Sequence, residues 1–336
     1  MIPPEANERL IKIKNIIESS KNPYFLFDDD PDGLCSFLLI YKKIRKGEFS
    51  VVRGKPLPGQ NYILYAKNRG ADLVIVLDKP ELETNFSPLV WIDHHPVQET
   101  NAIYFNPLLY NLPEYPTTYW VHLIFPKFKF ISAIGIVSDW FVLPIVKEIA
   151  SDEKYAYLFP KKLTPEEILF NSEFGKICKA FTFILKGDSY QVKRDIKKLV
   201  EIEDYENVYN YFPRIKSIES SYQKLLSKAL NEKYENIVLF LYKSKHSFSG
   251  LLSNELLYHF PEKDLIIVGR ETTTNISFSL RSKRHNVNKI LQSALIGIRG
   301  SGGGHEKACG AIIAKRDLDL FLENLEFNVK KLVHEN

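Results

Sequence analysis

The chain has 336 residues, 45% of them hydrophobic, and a formal net charge of +4. This length exceeds that of a usual single domain, so we expect two domains with a sizeable core. No apolar run approaches the ~20 residues that cross a bilayer, and the start lacks a secretory pattern, so we expect a cytoplasmic protein without membrane association. The three cysteines are too scattered for a zinc site or a disulfide framework.

The N-terminal half alternates between strand and helix patterns. Residues 7–18 predict an amphipathic helix, and the apolar run 24–27 predicts the first strand. A helix is predicted from Gly33 to Lys46. Further strands are predicted near 50–52, 73–77, 89–92 and 102–105, and helices at 117–125 and 164–186. This order is typical of a parallel α/β domain, to which we assign residues 1–188.

The rest of the chain predicts a helical connector and a second domain. Residues 189–234 are mostly charged, with apolar positions at helical spacing, and favour a connector. Residues 235–336 begin with the apolar run 237–241 and end with a helical pattern at 318–333. They predict a smaller α/β domain.

An acidic turn follows the first predicted strand. Four carboxylates occupy five positions between Asp28 and Asp32. In an extended turn alternate side chains share a face, so Asp28, Asp30 and Asp32 can converge. Such a concentration of negative charge indicates a bound divalent cation, whereas an acidic triplet alone is more often a solvated turn.

Further carboxylates and histidines follow other hydrophobic runs. Asp78 follows 73–77, the triplet Asp93, His94 and His95 follows 89–92, and Asp139 follows the run 134–138. We interpret each run as a buried strand of a parallel sheet, whose carboxyl ends share one crevice. That crevice would hold so much uncompensated charge that two metal ions are expected there. Imidazole together with carboxylates favours Mn²⁺, and a pair of such ions is suited to phosphodiester hydrolysis.

These motifs resemble those of the DHH phosphoesterase superfamily. The segments DDDPDGLCS, VIVLD, IDHHP and GIVSD occur in the family's order and approximate spacing, and the first is similar to the opening motif of the RecJ-like branch. The resemblance implies that two Mn²⁺ ions, with Mg²⁺ or Co²⁺ as substitutes, are bound by Asp28, Asp30, Asp32, Asp78, His94 and Asp139. Asp78 would bridge the ions, and Asp28 would act as a ligand or as a support. Asp93 would orient its neighbours, and His95 would contact the scissile phosphate.

One position departs from the family pattern. Lys79 follows Asp78, where the family more often has a small or amide residue. A lysine there could offset negative charge or meet phosphate, or it could be an ordinary surface residue, and the sequence does not decide between these.

A glycine-rich segment near the end of the chain carries a second resemblance. Gly303, Gly304 and His305 lie in a stretch similar to the Gly-Gly-His signature of the domain that accompanies DHH modules. Upstream, Arg281 and Ser282 end a strand that is similar to one of that domain. A guanidinium can grip phosphate bidentately, so all five residues are predicted to bind substrate. A glycine-rich stretch alone would be read as a flexible loop.

The resemblance implies a Mn²⁺-dependent single-strand-specific exonuclease, with its active site in the cleft between the two domains. We favour DNA over RNA, 3′→5′ polarity, a role in DNA repair or replication, and a repair or replication helicase as partner. The enzymatic alternative is a phosphodiesterase of oligoribonucleotides or cyclic dinucleotides, or a bisphosphate phosphatase. The other alternative is a non-catalytic partner of a replication helicase, which the complete set of ligand positions disfavours.

Overall fold

The computed structural model describes residues 2–53, 60–82 and 86–334. The chain divides into two compact units, Met1–Ile215 and Lys216–Asn336. The division falls inside the segment 189–234, whose role as a separate connector remains a prediction. No helix in the described ranges combines the length and apolar character that a membrane span requires.

The first unit contains a five-stranded parallel sheet surrounded by helices. Its strands have the order β2-β1-β3-β4-β5. In chain order the elements are α1 (Pro4–Ser19), β1 (Pro23–Asp28), α2 (Pro31–Ile44), β2 (Glu48–Val52), α3 (Gln60–Asn68), β3 (Leu73–Leu77), β4 (Leu89–Ile92), β5 (Ile103–Phe105), α4 (Thr117–Ile124), α5 (Lys129–Ser138), α6 (Pro144–Ser151), α7 (Pro165–Asn171), α8 (Glu173–Ile184), α9 (Ser189–Glu201) and α10 (Val208–Tyr211).

The sheet core is built from the apolar runs that predicted the strands. Strands β3 and β4 are buried at every position, as expected for strands covered on both faces. Pairing is parallel throughout, with Phe27 opposite Leu77 and Leu77 opposite Ile92. The carboxyl ends of β1, β3 and β4 therefore lie side by side, which confirms the predicted parallel α/β domain.

The predicted helix at 164–186 is in fact two helices, α7 and α8. Ser172 lies between them with an extended backbone and caps α8, because its hydroxyl accepts a hydrogen bond from Gly175 N at 3.1 Å.

The second unit is a mixed sheet covered by helices. The division between units falls within α11 (Pro213–Asn231). The remaining elements are β6 (Ile237–Tyr242), α12 (Ser249–His259), β7 (Leu265–Glu271), β8 (Asn275–Arg281), α13 (Val287–Ala294), β9 (Gly300–Gly304), β10 (Ala308–Ala314) and α14 (Leu318–His334). The sheet order is β6-β7-β8-β10-β9, with β6 and β7 parallel and the other pairs antiparallel. This confirms the second α/β domain.

Candidate metal centre

The acidic turn joins β1 to α2. Asp28 is the last residue of β1, and Asp30 caps α2 by accepting a hydrogen bond from Gly33 N at 2.9 Å. A side chain at position 33 would bring its Cβ to 2.7 Å from Asp28 N. Only glycine therefore allows the helix to start so close to the strand end, which places Asp28, Asp30 and Asp32 together.

The N-terminus of α4 fixes Asp32, which is 2% exposed. Thr117 N donates to Asp32 Oδ2 at 2.8 Å and Thr118 N to Oδ1 at 2.7 Å. The Thr118 hydroxyl also donates to the backbone oxygen of Asp32 at 2.9 Å. The free N–H groups of a helix start stabilise an anion, so α4 holds the carboxylate in one orientation. The two threonines were not predicted from the sequence. Their signal is a proline followed by two threonines at the start of a predicted helix.

Asp78 and His94 form the centre of the cluster. Asp78 follows β3, has a left-handed backbone (φ 58°) and is 2% exposed. Its Oδ1 accepts a hydrogen bond from the Thr117 hydroxyl at 3.2 Å and lies 3.4 Å from His94 Nε2. His94 Nδ1 donates to the carbonyl of Glu114 at 3.4 Å, which directs Nε2 towards the carboxylates.

Asp139 lies in the cluster but does not follow a strand. The prediction of a strand at 134–138 is wrong, because these residues form the end of α5 and Asp139 caps that helix at its C-terminus. A short apolar run does not distinguish a buried strand from a buried helix. Asp139 Oδ2 nevertheless lies 4.0 Å from His94 Nε2, the same distance as Asp32 Oδ2.

Asp93 holds His95 rather than facing the other carboxylates directly. It is fully buried, and its two oxygens accept hydrogen bonds from His95 Nδ1 at 2.8 Å and from His95 N at 3.0 Å. The His95 carbonyl accepts a further bond from the Asn106 amide at 2.7 Å. These contacts fix the ring so that Nε2 is the nitrogen left for a ligand. Asn106 was not predicted either, although it directly follows β5.

Burial and mutual repulsion oppose ionisation of most of the carboxyl groups. Burial, with a further effect from Asp78, raises the pKa of Asp28 to about 6. The same two causes hold the pKa values of Asp30 and Asp32 well above their ordinary range. Burial raises the pKa of Asp139 to about 7, even though the nearby His94 favours its charged form.

The pair formed by Asp78 and His94 behaves differently. Burial disfavours the charge on Asp78, but the hydrogen bond and attraction from His94 outweigh it and lower its pKa to about 2. Burial likewise disfavours a protonated His94, but Asp78, Asp32 and Asp139 raise its pKa to about 11. The imidazole therefore carries a proton where a metal ion would otherwise supply positive charge.

The donors fit divalent metal ions. Three sets of side chains bring their ligand atoms within 4.8 Å of one another. We call Asp28, Asp30 and Asp78 the first group and Asp32, His94 and Asp139 the second group; the third set is Asp78, His94 and His95. Asp78 belongs to two of the sets, as a bridging ligand would. Carboxylate oxygens with one imidazole are the donors that suit Mn²⁺.

Lys79 lies inside this cluster and not on the surface. Its Nζ is 2.8 Å from Asp28 Oδ1, and its side chain is only 3% exposed, against 24% for that of Asp28. The lysine therefore neutralises a carboxylate that the sequence predicts as a metal ligand or support.

The predicted substrate-binding residues lie in the second unit, at one end of three strands. Arg281 ends β8 and is paired with Ala308 of β10. The short turn between β9 and β10 carries His305, whose N donates to Ala308 O at 2.9 Å. Arg281 and His305 therefore lie beside each other in the sheet, as predicted.

Arg281 carries a charge without an acidic partner. Its Nε donates to the Asn254 side chain at 2.6 Å and its Nη1 to Leu280 O at 2.8 Å. Burial lowers its pKa to about 10, and among the described residues no carboxylate lies within ion-pair distance. An anionic ligand would supply the missing negative charge.

The glycines and Ser282 have mainly structural contacts. The segment 300–304 is the edge strand β9, in which Gly303 pairs with Gly310 and Gly304 with Cys309. A Cβ at position 304 would lie 2.4 Å from Ala308 O, so the turn requires glycine there. Ser282 is 1% exposed, and its hydroxyl donates to Asp264 O at 2.6 Å. The substrate contacts predicted for these residues stay predictions.

Comparisons with known proteins agree with this architecture. Residues 225–331 match the family model of the DHHA1 domain. RecJ of Thermus thermophilus, in complex with Mn²⁺, has a TM-score of 0.59 and 15% identity, and the alignment covers 98% of this chain and 56% of that one. By fold, this chain is a RecJ-like protein of the DHH superfamily.

Two other structures are similar to this RecJ-like chain. An exonuclease RecJ bound to manganese has a TM-score of 0.58 and 15% identity, covering 97% of this chain and 94% of that one. The DHH domain of a protein from a family of ribosomal proteins has a TM-score of 0.63 and 16% identity, covering 97% and 91%. No curated protein sequence matches the chain. The RecJ-like chain spans only 56% of the length of the Thermus protein.

Proposed function

We propose that the chain is a Mn²⁺-dependent nuclease that hydrolyses phosphodiester bonds of single-stranded DNA in repair or replication. The observation that carries this proposal is the meeting of Asp32, Asp78, His94 and Asp139 from separate elements around His94 Nε2. RecJ structures of the same fold contain manganese. The activity, the 3′→5′ polarity and a helicase partner are all part of the proposal.

The residues divide into ligands and positioning groups. The first group would hold one ion and the second group the other, with Asp78 shared between them. When bound, such a pair of ions activates a water molecule and stabilises the attacking and leaving oxygens of the displacement. Helix α4 keeps Asp32 in place through Thr117 and Thr118, so the carboxylate does not need to reorganise during the reaction.

His95 is the group that would meet the scissile phosphate. Burial disfavours its protonation, but the hydrogen bond and charge of Asp93 raise its pKa above the ordinary value. A ring protonated at neutral pH and fixed at Nδ1 would donate from Nε2 to a phosphate oxygen. In the second unit, Arg281 and His305 would bind a phosphate of the substrate.

The test is digestion of end-labelled single-stranded DNA, RNA and duplex with Mn²⁺ or Mg²⁺. We expect stepwise shortening of single-stranded DNA with Mn²⁺, and we expect Asp30→Ala and His94→Ala to abolish it while circular dichroism stays unchanged. Glu153→Gln changes an exposed carboxylate and serves as the control. A marked preference for a dinucleotide over a long strand would favour the small-substrate phosphodiesterase instead. Normal activity in either site variant would refute the assignment of the site.

A further inference from the structure

We propose that Lys79 acts as a built-in cation that weakens metal binding by the first group and keeps the ion there exchangeable. This inference rests on the metal site of the proposed function, but it concerns affinity and not the reaction. It assigns a role to the one position at which the sequence departs from the family pattern beside the metal ligands.

The first observation is the geometry of the ion pair. Lys79 Nζ lies 2.8 Å from Asp28 Oδ1, and the same oxygen accepts a hydrogen bond from Asp29 N at 2.8 Å. Two donors therefore already occupy the Asp28 atom nearest to the lysine. A metal ion that uses this oxygen must displace the ammonium, and one that uses the other oxygen must bind next to it.

The second observation is that the ammonium has little access to solvent. The Lys79 side chain is 3% exposed, and its carbonyl accepts a hydrogen bond from Trp91 Nε1 at 3.1 Å. Trp91 belongs to the buried strand β4, so the backbone of Lys79 is fixed to the sheet core. A buried charge that loses its partner is strongly disfavoured, so the lysine remains paired or remains close to the incoming ion.

The third observation is that the second group lacks such a cation. No lysine or arginine nitrogen of the described ranges lies within ion-pair distance of Asp32 or Asp139, whose ion-pair contact is with His94. His94 can give up its proton when a metal binds, whereas the ammonium of Lys79 stays as a like charge beside the ion. The two groups therefore differ in affinity through Lys79.

The consequence is stepwise loading. One Mn²⁺ binds the second group first, and the ion of the first group binds more weakly and exchanges more readily. A phosphate oxygen of the substrate would add a negative ligand and offset the charge of Lys79. The first group would then be filled most completely when substrate is present.

The experiment is a Mn²⁺ titration of the full chain without substrate, followed by electron paramagnetic resonance of free Mn²⁺ and by calorimetry. We expect two binding steps in the unmodified protein. Lys79→Met keeps the length of the side chain and removes its charge, so the weaker step should tighten about tenfold or more while the tighter step stays within about twofold. Lys147→Met removes an exposed lysine charge and should change neither step.

Further variants keep the test decisive if Lys79→Met fails to fold. Lys79→Gln is smaller and polar and should also tighten the weaker step, whereas Asp28→Asn should weaken it further. Equal steps that do not change in the Lys79 variants would overturn the role of Lys79 and leave the metal-dependent function intact. Absence of any bound Mn²⁺ in the unmodified protein would overturn the proposed function as well, so the two failures are distinguishable.

Discussion

Replacement of Asp139 by Asn should stabilise the metal-free protein and remove most of the stabilisation that Mn²⁺ provides. In the fold, burial raises the pKa of this carboxyl from 3.8 to about 7. A group whose folded pKa is raised in this way costs stability as the pH rises from 3.8 to 7, because the unfolded chain ionises first. Above pH 7 the cost is constant, and Asn avoids it.

The size of the effect follows from the pKa. A rise from 3.8 to about 7 corresponds to about 4 kcal/mol at pH 8. The Asp139 side chain is 30% exposed, so we reduce this figure for solvent screening to about 2 kcal/mol. Asp139→Asn should therefore raise the free energy of unfolding by about 2 kcal/mol at pH 8 without metal, and by little at pH 4.

Manganese should reverse this advantage. At a concentration one hundred times its dissociation constant, Mn²⁺ stabilises the unmodified protein by about 2.7 kcal/mol. If the variant binds the ion about 100-fold more weakly, it gains only about 0.4 kcal/mol. Urea unfolding at pH 8, with and without Mn²⁺, measures both effects, and Glu153→Gln serves as the control. A variant that is less stable without metal, or that gains as much from Mn²⁺ as the unmodified protein, would refute the reasoning.

Three other outcomes follow from the structure. Because the pKa of His94 is raised to about 11, Mn²⁺ binding at pH 7.5 should release about one proton, measured by calorimetry in buffers of different ionisation enthalpy. Lys42→Met removes hydrogen bonds to Val200 O and Ile202 O and should lower the free energy of unfolding by about 2 kcal/mol in urea, with unchanged Mn²⁺ affinity. Arg281→Lys should raise KM for a single-stranded oligonucleotide about tenfold, with unchanged kcat and Mn²⁺ affinity in steady-state and binding assays. A kcat that falls instead would place the arginine at the reacting phosphate.

Much of the fold could be predicted because its strands are short apolar runs that end in polar residues. The strands near 73–77 and 89–92 have the predicted bounds, and the residues after them, Asp78 and Asp93, lie at the same edge of the sheet. The error at 134–138 has a physical cause. A buried helix and a buried strand can both be apolar at every position, so periodicity gives no signal there.

Other features depended on contacts that are distant in sequence. Nothing local in Thr117 or Thr118 indicates that their N–H groups meet Asp32, because 85 positions separate Thr117 from that partner. Lys79 could not be placed from the sequence because its burial depends on β1 and β4. The strand at 300–304 was unexpected because glycine disfavours strands, and pairing with β10 overrides that preference.

The most direct test of the account is a crystal of the full chain soaked in Mn²⁺ and measured at the manganese absorption edge. We predict two anomalous peaks roughly 3.5–4 Å apart, one within the first group and one within the second, with Asp78 between them. The peak in the first group should be the weaker one at low Mn²⁺ concentration. Anomalous density that is absent from both groups, or that lies away from Asp78, would contradict the central claim.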